Sequence, residues 1–158
     1  MIEALIRHGA DPGVYEDPRT AIDSASHLTP LHAAAWSGNA EAGAVLLAHG
    51  ANPAARDEKY AGTPAGWAEH AGHTAVRDRV LAGAIDVFEA IDRDLVDRIP
   101  EILVRDPDSR DRPFGAYVTP RPRANAWWPP ADATPLAWAE RTGKHAAARV
   151  LRDHGVSR

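Results

Sequence analysis

The sequence contains no cysteine, which excludes disulfide bonds, thiolate nucleophiles and metal sites built on sulfur. It has no apolar run near the ~18 residues that a membrane span requires. Its first residues do not follow the basic-then-apolar order of a signal peptide. These absences predict a soluble, cytoplasmic protein with no membrane partner. The chain has 158 residues, which is enough for one domain with a real core.

Sequence signatures of catalysis are missing as well. There is no G-x-S-x-G nucleophile elbow, no glycine-rich phosphate loop and no H-E-x-x-H helix. The formal charge of −4 gives no general attraction for phosphate, so nucleic acid is not an expected partner. His70 and His73 lie close in sequence, but a catalytic zinc ion needs a third protein ligand. We therefore expect no enzyme activity, no cofactor and no metal.

One short motif recurs along the chain. Thr-Pro followed by glycine at a fixed offset occurs at residues 29–38, 63–72 and 134–143. In each copy the threonine is suited to cap a helix, the proline fits the first turn, and the glycine permits the tight turn that ends it. A second apolar stretch before Gly50 predicts a second short helix. Because such short helices are unstable alone, the repeated unit must stack on its neighbours.

This pattern resembles the ankyrin repeat, a unit of about 33 residues with a Thr-Pro-Leu-His helix start, two antiparallel helices and a hairpin-like connection. The resemblance implies an all-α, ankyrin-type helical repeat solenoid of about four units, of the bacterial type, some of them diverged. We divide this single array into a truncated repeat (1–12), a long loop (13–28), two repeats (29–62 and 63–83) and a diverged repeat (84–107). A Pro- and Trp-rich insertion (108–133) and a C-terminal capping repeat (134–158) complete it. In the diverged repeat, Asp94 replaces the usual glycine, and Pro100 predicts either a kink or a helix confined to the part after it.

The resemblance also implies non-catalytic binding of another protein, through a concave face made of first helices and hairpin tips. The contact positions of the family match Trp36, Ser37, Arg56, Glu58, Tyr60, His70, Asp92, Arg93, Arg141 and Thr142. Trp36 is the strongest candidate among these contact residues, because an exposed indole anchors an interface at little cost in side-chain entropy. The alternative is that Trp36 folds over Tyr15. The resemblance gives His32 the role of tying the loops of adjacent units.

Three features leave alternatives open. Trp67 and Trp138 are predicted to be packing residues, or else to line a groove. The insertion, residues 108–133, has three possible roles: a docking finger, a lid over a small-molecule or catalytic site, or a segment packed on the array. Its predicted contact residues are Arg121, Arg123, Trp127 and Trp128. An apolar stripe at helical spacing is formed by Ile2, Leu5 and Ile6. It predicts that this face is covered either by a second copy of the protein or by a segment of chain preceding Met1.

Overall fold

Helices account for all regular structure in the residues that the computed structural model describes, which are 10–13, 28–118 and 129–155. No strand occurs in those ranges, so the prediction of an all-α fold is confirmed there. None of the helices in these ranges combines the length and apolar character needed to cross a lipid bilayer. Several predicted contact residues lie outside the described ranges: Ile2, Leu5, Ile6, Arg121, Arg123, Trp127 and Trp128.

The chain divides into two units, residues 1–84 and 85–158. In the first unit the described helices are α1, Pro30–Ser37; α2, Ala40–Ala48; α3, Pro64–His70; and α4, Thr74–Leu81. Helix α1 packs on α2 and α3 packs on α4, while α1 also packs on α3 and α2 on α4. Two helix pairs are therefore stacked with first helix against first helix and second against second.

The helix ends follow the predicted chemistry. The Thr63 hydroxyl accepts a hydrogen bond from the Gly66 amide at 3.2 Å, which caps the start of α3. The glycines that follow α1 and α3 have left-handed backbones, with φ of 69° at Gly38 and 79° at Gly72. This conformation is costly for any residue with a Cβ atom, which explains the fixed glycine in the motif.

Small side chains dominate the core of the first unit. Alanines let the helix backbones approach closely, and larger apolar side chains fill the space between the pairs. The buried residues are Leu31, Ala34, Ala35, Ala42, Leu46, Ala51, Ala65, Ala68, Val76 and Val80. Full burial of a side chain such as Leu31 stabilises the fold by about 1.5–3 kcal/mol.

The second unit repeats the arrangement with helices α5, Val87–Asp92; α6, Ile99–Arg105; α7, Pro135–Arg141; and α8, His145–Asp153. Helix α5 packs on α7, and α6 packs on α8. Short 3-10 turns lie between α5 and α7, at Val96–Arg98, Pro107–Arg110 and Phe114–Ala116.

The diverged repeat differs from the regular pattern as its sequence suggests. Asp94 adopts a left-handed backbone with φ of 55°, in the place of the usual glycine. Pro100 is the second residue of α6, so its missing amide falls in the first turn, where no partner is required. The preceding residues form a 3-10 turn instead of continuing the α-helix. The prediction that the helix is confined to the part after Pro100 is closer to the observed structure than a kink is, although the helix begins one residue earlier, at Ile99.

The described ends of the predicted insertion are packed against the second unit. Phe114 and Val118 are buried, and the Phe114 ring lies 5.1 Å from the Phe88 ring. Backbone hydrogen bonds join the two ends, from the Phe114 amide to the Ala133 carbonyl and from the Gly115 amide to the Ala131 carbonyl. Phe114 and Val118 therefore belong to the hydrophobic core of this unit, and the second flank is joined to them by backbone hydrogen bonds.

Equivalent glycines in the first unit provide a matched test of turn geometry. A Cβ atom at Gly38 would lie 2.6 Å from His73 Nδ1, whereas one at Gly72 would meet nothing within 4 Å. We expect Gly72→Ala to lower the free energy of unfolding by ~1 kcal/mol and Gly38→Ala by ~2 kcal/mol or more. Urea unfolding followed by helical circular dichroism measures both values. Equal losses would show that the His73 ring moves aside without cost, and repeating the pair in a His73→Ala background should remove the difference.

Candidate functional site

Four aromatic side chains of the first unit meet on one surface. This aromatic surface consists of Trp36 near the end of α1, Tyr60 in the connection before α3, and Trp67 and His70 on α3. Trp36 and His70 each lie seven positions after the threonine of their own motif. Since α1 and α3 pack side by side, equivalent positions on the two helices become neighbours.

The rings hold one another at defined angles. The Trp36 ring meets Trp67 edge-on, with centroids 5.5 Å apart and planes at 76°. His70 stacks on Trp36, with centroids 6.1 Å apart and planes within 18°. Tyr60 contacts Trp67 at 6.1 Å and 62°. These are the edge-to-face and offset geometries that aromatic pairs prefer.

The aromatic surface remains open to solvent. Trp36 is 51% exposed and Tyr60 is 50% exposed, whereas Trp67 is partly buried behind them. Trp36 therefore packs on the next repeat through Trp67 and His70. Tyr15, the alternative contact for Trp36, lies outside the described residues. Trp67 has the predicted role of a packing residue, because it packs against the buried core of this unit, and it also contacts the exposed rings of Trp36 and Tyr60.

A buried carboxylate positions the surface from below. Asp57 has no exposed area, and its Oδ1 atom accepts hydrogen bonds from the amides of Lys59 and Tyr60, at 2.9 and 2.7 Å. Its Oδ2 atom accepts from the Gly62 amide at 2.8 Å and from the Trp67 indole Nε1 at 2.9 Å. One side chain thus joins the hairpin that carries Tyr60 to the helix that carries Trp67.

The role of Asp57 was not predicted from the sequence, because an aspartate in a polar connection is usually solvated. Two signals were present: aspartate commonly bonds to backbone amides a few residues ahead, and a glycine follows at position 62. A Cβ atom at Gly62 would lie 2.8 Å from Asp57 Oδ2 and 2.9 Å from Trp67 Nε1. Only glycine therefore leaves room for this hydrogen bond.

Arg56 differs from its predicted role. The sequence places it among the partner contacts, but it is only 7% exposed, and its guanidinium donates to the Ala61 carbonyl at 3.0 Å. Ala61 has a left-handed backbone with φ of 47°, so Arg56 stabilises a strained part of the connection. Its charge faces inward, and we exclude it from the surface.

His32 ties two loops together, as the resemblance implies. Its Nδ1 atom accepts from the Thr29 amide at 3.2 Å, which leaves Nε2–H to donate to the Gly62 carbonyl at 3.1 Å. Burial lowers the pKa of His32 from its usual 6.5, although the Gly62 hydrogen bond and the Asp57 charge act in the opposite direction. Burial therefore favours the neutral form of the imidazole in the folded protein.

The other predicted contacts of the first unit flank the aromatic surface. Ser37 is exposed, and its hydroxyl donates to the Ala34 carbonyl at 3.3 Å. Glu58 is partly buried in the connection before Tyr60. The structure thus brings Trp36, Tyr60 and His70 together, with Ser37 and Glu58 beside them in sequence.

In the second unit, two predicted contacts are used internally. The Asp92 carboxylate accepts from the Trp138 indole at 2.6 Å, and the Asp92 carbonyl accepts from Lys144 Nζ at 3.0 Å. Arg93 forms an ion pair with Glu89 at 2.5 Å, in which both side chains are largely buried. Both residues therefore make contacts within this unit, and their role as partner contacts stays a prediction.

The remaining predicted residues of the second unit have separate roles. Trp138 is 6% exposed, which agrees with its prediction as a packing residue. Thr142 is exposed, but its hydroxyl donates to the Trp138 carbonyl at 2.8 Å. Arg141 is exposed at the end of α7.

Metal-binding side chains do not converge in the part of the chain that the structure describes. These ranges contain no group of three or more histidine, cysteine, aspartate or glutamate side chains placed to hold an ion. His70 is stacked on Trp36, and the His73 ring lies against the backbone of Gly38. The two histidines therefore serve different contacts.

Helix pairs with Thr-Pro starts, left-handed glycines and a loop-tying histidine point to a specific repeat type. Residues 26–58 match the ankyrin repeat model. The matched ankyrin repeat contains α1, α2 and the connection as far as Asp57 and Glu58. With eight α-helices and no strand in the described ranges, the fold is an ankyrin-type helical repeat fold. The bacterial type, the count of about four repeats and their boundaries stay predictions.

A search of curated proteins found no match to the chain. Function must therefore be argued from the ankyrin repeat and from the geometry of the aromatic surface. Ankyrin repeats generally mediate protein–protein interaction and are generally non-catalytic. An exposed aromatic cluster that spans two stacked helix pairs is suited to such contact.

The buried imidazole predicts a pH dependence of stability. Because the pKa of folded His32 is lowered, the folded protein takes up this proton at a lower pH than the unfolded chain, whose histidine titrates near pH 6.5. The contribution of His32 is therefore complete above pH 6.5 and declines as the pH falls below it. Urea unfolding of wild type and His32→Gln between about pH 8 and about pH 5 should show a stability difference that shrinks with falling pH. A constant difference would contradict this account.

The four hydrogen bonds to Asp57 predict a large effect of removing its charge. In Asp57→Asn, one oxygen becomes an amino group that faces N–H donors, so buried donors lose their acceptor. We expect the free energy of unfolding to fall by ~2–4 kcal/mol, with a change in the near-ultraviolet circular dichroism of tryptophan. Asp78→Asn is the control, because Asp78 is 65% exposed and pairs only at the surface with Arg77. It should cost less than ~1 kcal/mol, and similar losses in both variants would show that Asp57 is not a structural centre.

Proposed function

We propose that this protein binds another protein without catalysing a reaction, and that the aromatic surface makes the central contact. The observation that carries this proposal is the state of Trp36, which is 51% exposed while its ring is held by Trp67 and His70. A ring that is already fixed loses little conformational freedom when a partner covers it. Its remaining apolar area is then available to favour binding.

The surrounding structure supports this role for Trp36. Protein interfaces concentrate their binding free energy in a few aromatic or arginine side chains, which lie near the centre and are ringed by polar groups. Here Tyr60 and His70 extend the apolar contact, and Ser37 and Glu58 supply polar neighbours. Asp57 anchors the hairpin to α3, so the surface is formed before the partner arrives.

Arg141 and Thr142, both exposed, remain proposed contacts of the second unit. A cytoplasmic location also belongs to this proposal. The alternative of a small-molecule or catalytic site beneath the insertion gains no support from the described residues, and its tryptophan pair lies outside them. The aromatic surface is therefore the first place to test.

The test is capture of a partner from extracts of the source cell, with bound proteins identified by mass spectrometry. Replacing Trp36 and His70 together by alanine should reduce recovery of a specific partner by more than about ten-fold, since an aromatic anchor contributes ~2 kcal/mol or more. Val104→Ala is the matched control, because Val104 is 80% exposed in the second unit and is also apolar. Circular dichroism should show unchanged helix content in both variants. Undiminished capture by the double variant would overturn the proposal.

A further inference from the structure

We propose that the aromatic surface receives a cationic side chain of the partner, an arginine carried by a basic segment. This inference rests on the proposed function, because it names the chemistry of the partner at the same surface. Cations are attracted to the faces of aromatic rings, where the π electrons concentrate negative charge. Tryptophan is the most effective of the aromatic side chains in this respect.

The arrangement of the rings favours such a contact. Trp36 and Tyr60 both contact Trp67 while their planes stand at 76° and 62° to it. Ring faces of different orientation therefore border one surface, rather than a single flat stack. A cation at this surface is attracted by each ring whose centroid lies within about 6 Å of it.

Lys59 of the chain itself already forms a cation–π contact at this surface. The Lys59 ammonium lies 5.1 Å from the centroid of the Tyr60 ring. This contact shows that a positive charge is accommodated over one of the exposed rings. It also means that a partner cation and Lys59 would compete for the same ring face.

The carboxylate beneath the surface increases its attraction for cations. The Trp67 indole donates its N–H to Asp57 Oδ2 at 2.9 Å, and a hydrogen bond to a charged acceptor shifts electron density toward the ring. The segment from residue 56 to residue 70 contains three carboxylates, Asp57, Glu58 and Glu69, against two cations, Arg56 and Lys59, which leaves a formal excess of one negative charge. This local excess of negative charge, together with the formal charge of −4 of the chain, complements a basic partner.

Arginine fits these features better than lysine. Its guanidinium group is planar, so it can stack on an aromatic face, and its N–H groups can donate to carboxylates at the same time. A compact ammonium ion is more strongly hydrated and lacks this planar face. In this connection the carboxylate of Glu58, which is partly exposed, precedes the exposed ring of Tyr60 by two residues.

The experiment is a nuclear magnetic resonance titration of the full chain with the peptide acetyl-Gly-Arg-Gly-Arg-Gly-amide. Its control is the same peptide with citrulline, which has nearly the shape of arginine but no charge. We expect the arginine peptide to shift the indole N–H signals of Trp36 and Trp67 and to bind about 3- to 10-fold more tightly than the citrulline peptide. The Trp138 signal is the internal reference, because this ring is buried in the second unit. In Trp36→Leu the preference for arginine should be lost.

Two charge variants sharpen the test. Lys59→Met removes the competing cation, whereas Arg79→Met removes the same charge from an exposed position on α4. Affinity for the arginine peptide should rise more in Lys59→Met than in Arg79→Met. Equal affinity for the arginine and citrulline peptides, or binding that Trp36→Leu leaves unchanged, would overturn the inference.

The outcomes separate this inference from the proposed function. If the Trp36 and His70 variant loses its partner while the two peptides bind equally, the surface binds protein but does not select a cation. If the arginine preference is present and partner capture survives the double variant, the surface selects cations but is not the main interface.

Discussion

A single buried carboxylate, that of Asp57, determines the shape of the first unit around its proposed binding surface. An isolated charge in the interior costs several kcal/mol, and the fold avoids this cost by giving the carboxylate four N–H donors. Three donors are amides of the connection, and one is the Trp67 indole. Since all four must be present together, the connection and α3 have one favoured arrangement. The position of Tyr60 above Trp67 follows from it.

The repeat itself sets the second constraint. Helix α1 lies against α3, and the same offset from each motif threonine places Trp36 beside His70. The alanine-rich core brings the helices close enough for these side chains to touch. His32 then fixes the loop between the two repeats by donating to the Gly62 carbonyl. Packing and loop geometry thus act on the same few residues.

Much of this was readable from the sequence because it follows from local rules. Threonine caps, left-handed glycines and the left-handed backbone at Asp94 are imposed by backbone chemistry within a few residues. Trp36, Tyr60 and His70 were identified by position, but position alone did not reveal what neighbouring segments would do. Arg56 donates a hydrogen bond to the Ala61 carbonyl, and Asp92 accepts one from the Trp138 indole. Such pairings depend on which donors the fold brings close, and no single stretch of sequence contains that information.

Trp36 and His70 belong to different helix pairs, so recognition depends on how the two pairs are joined. Neither repeat contains the surface by itself, so local unfolding at the junction would abolish the site without altering either helix pair. By thermodynamic linkage, a partner that binds only the assembled surface must also stabilise the junction between the repeats. Insertion of a further helix pair between α2 and α3 would separate the two side chains in space. The site therefore exists only where both helix pairs are present and stacked on each other.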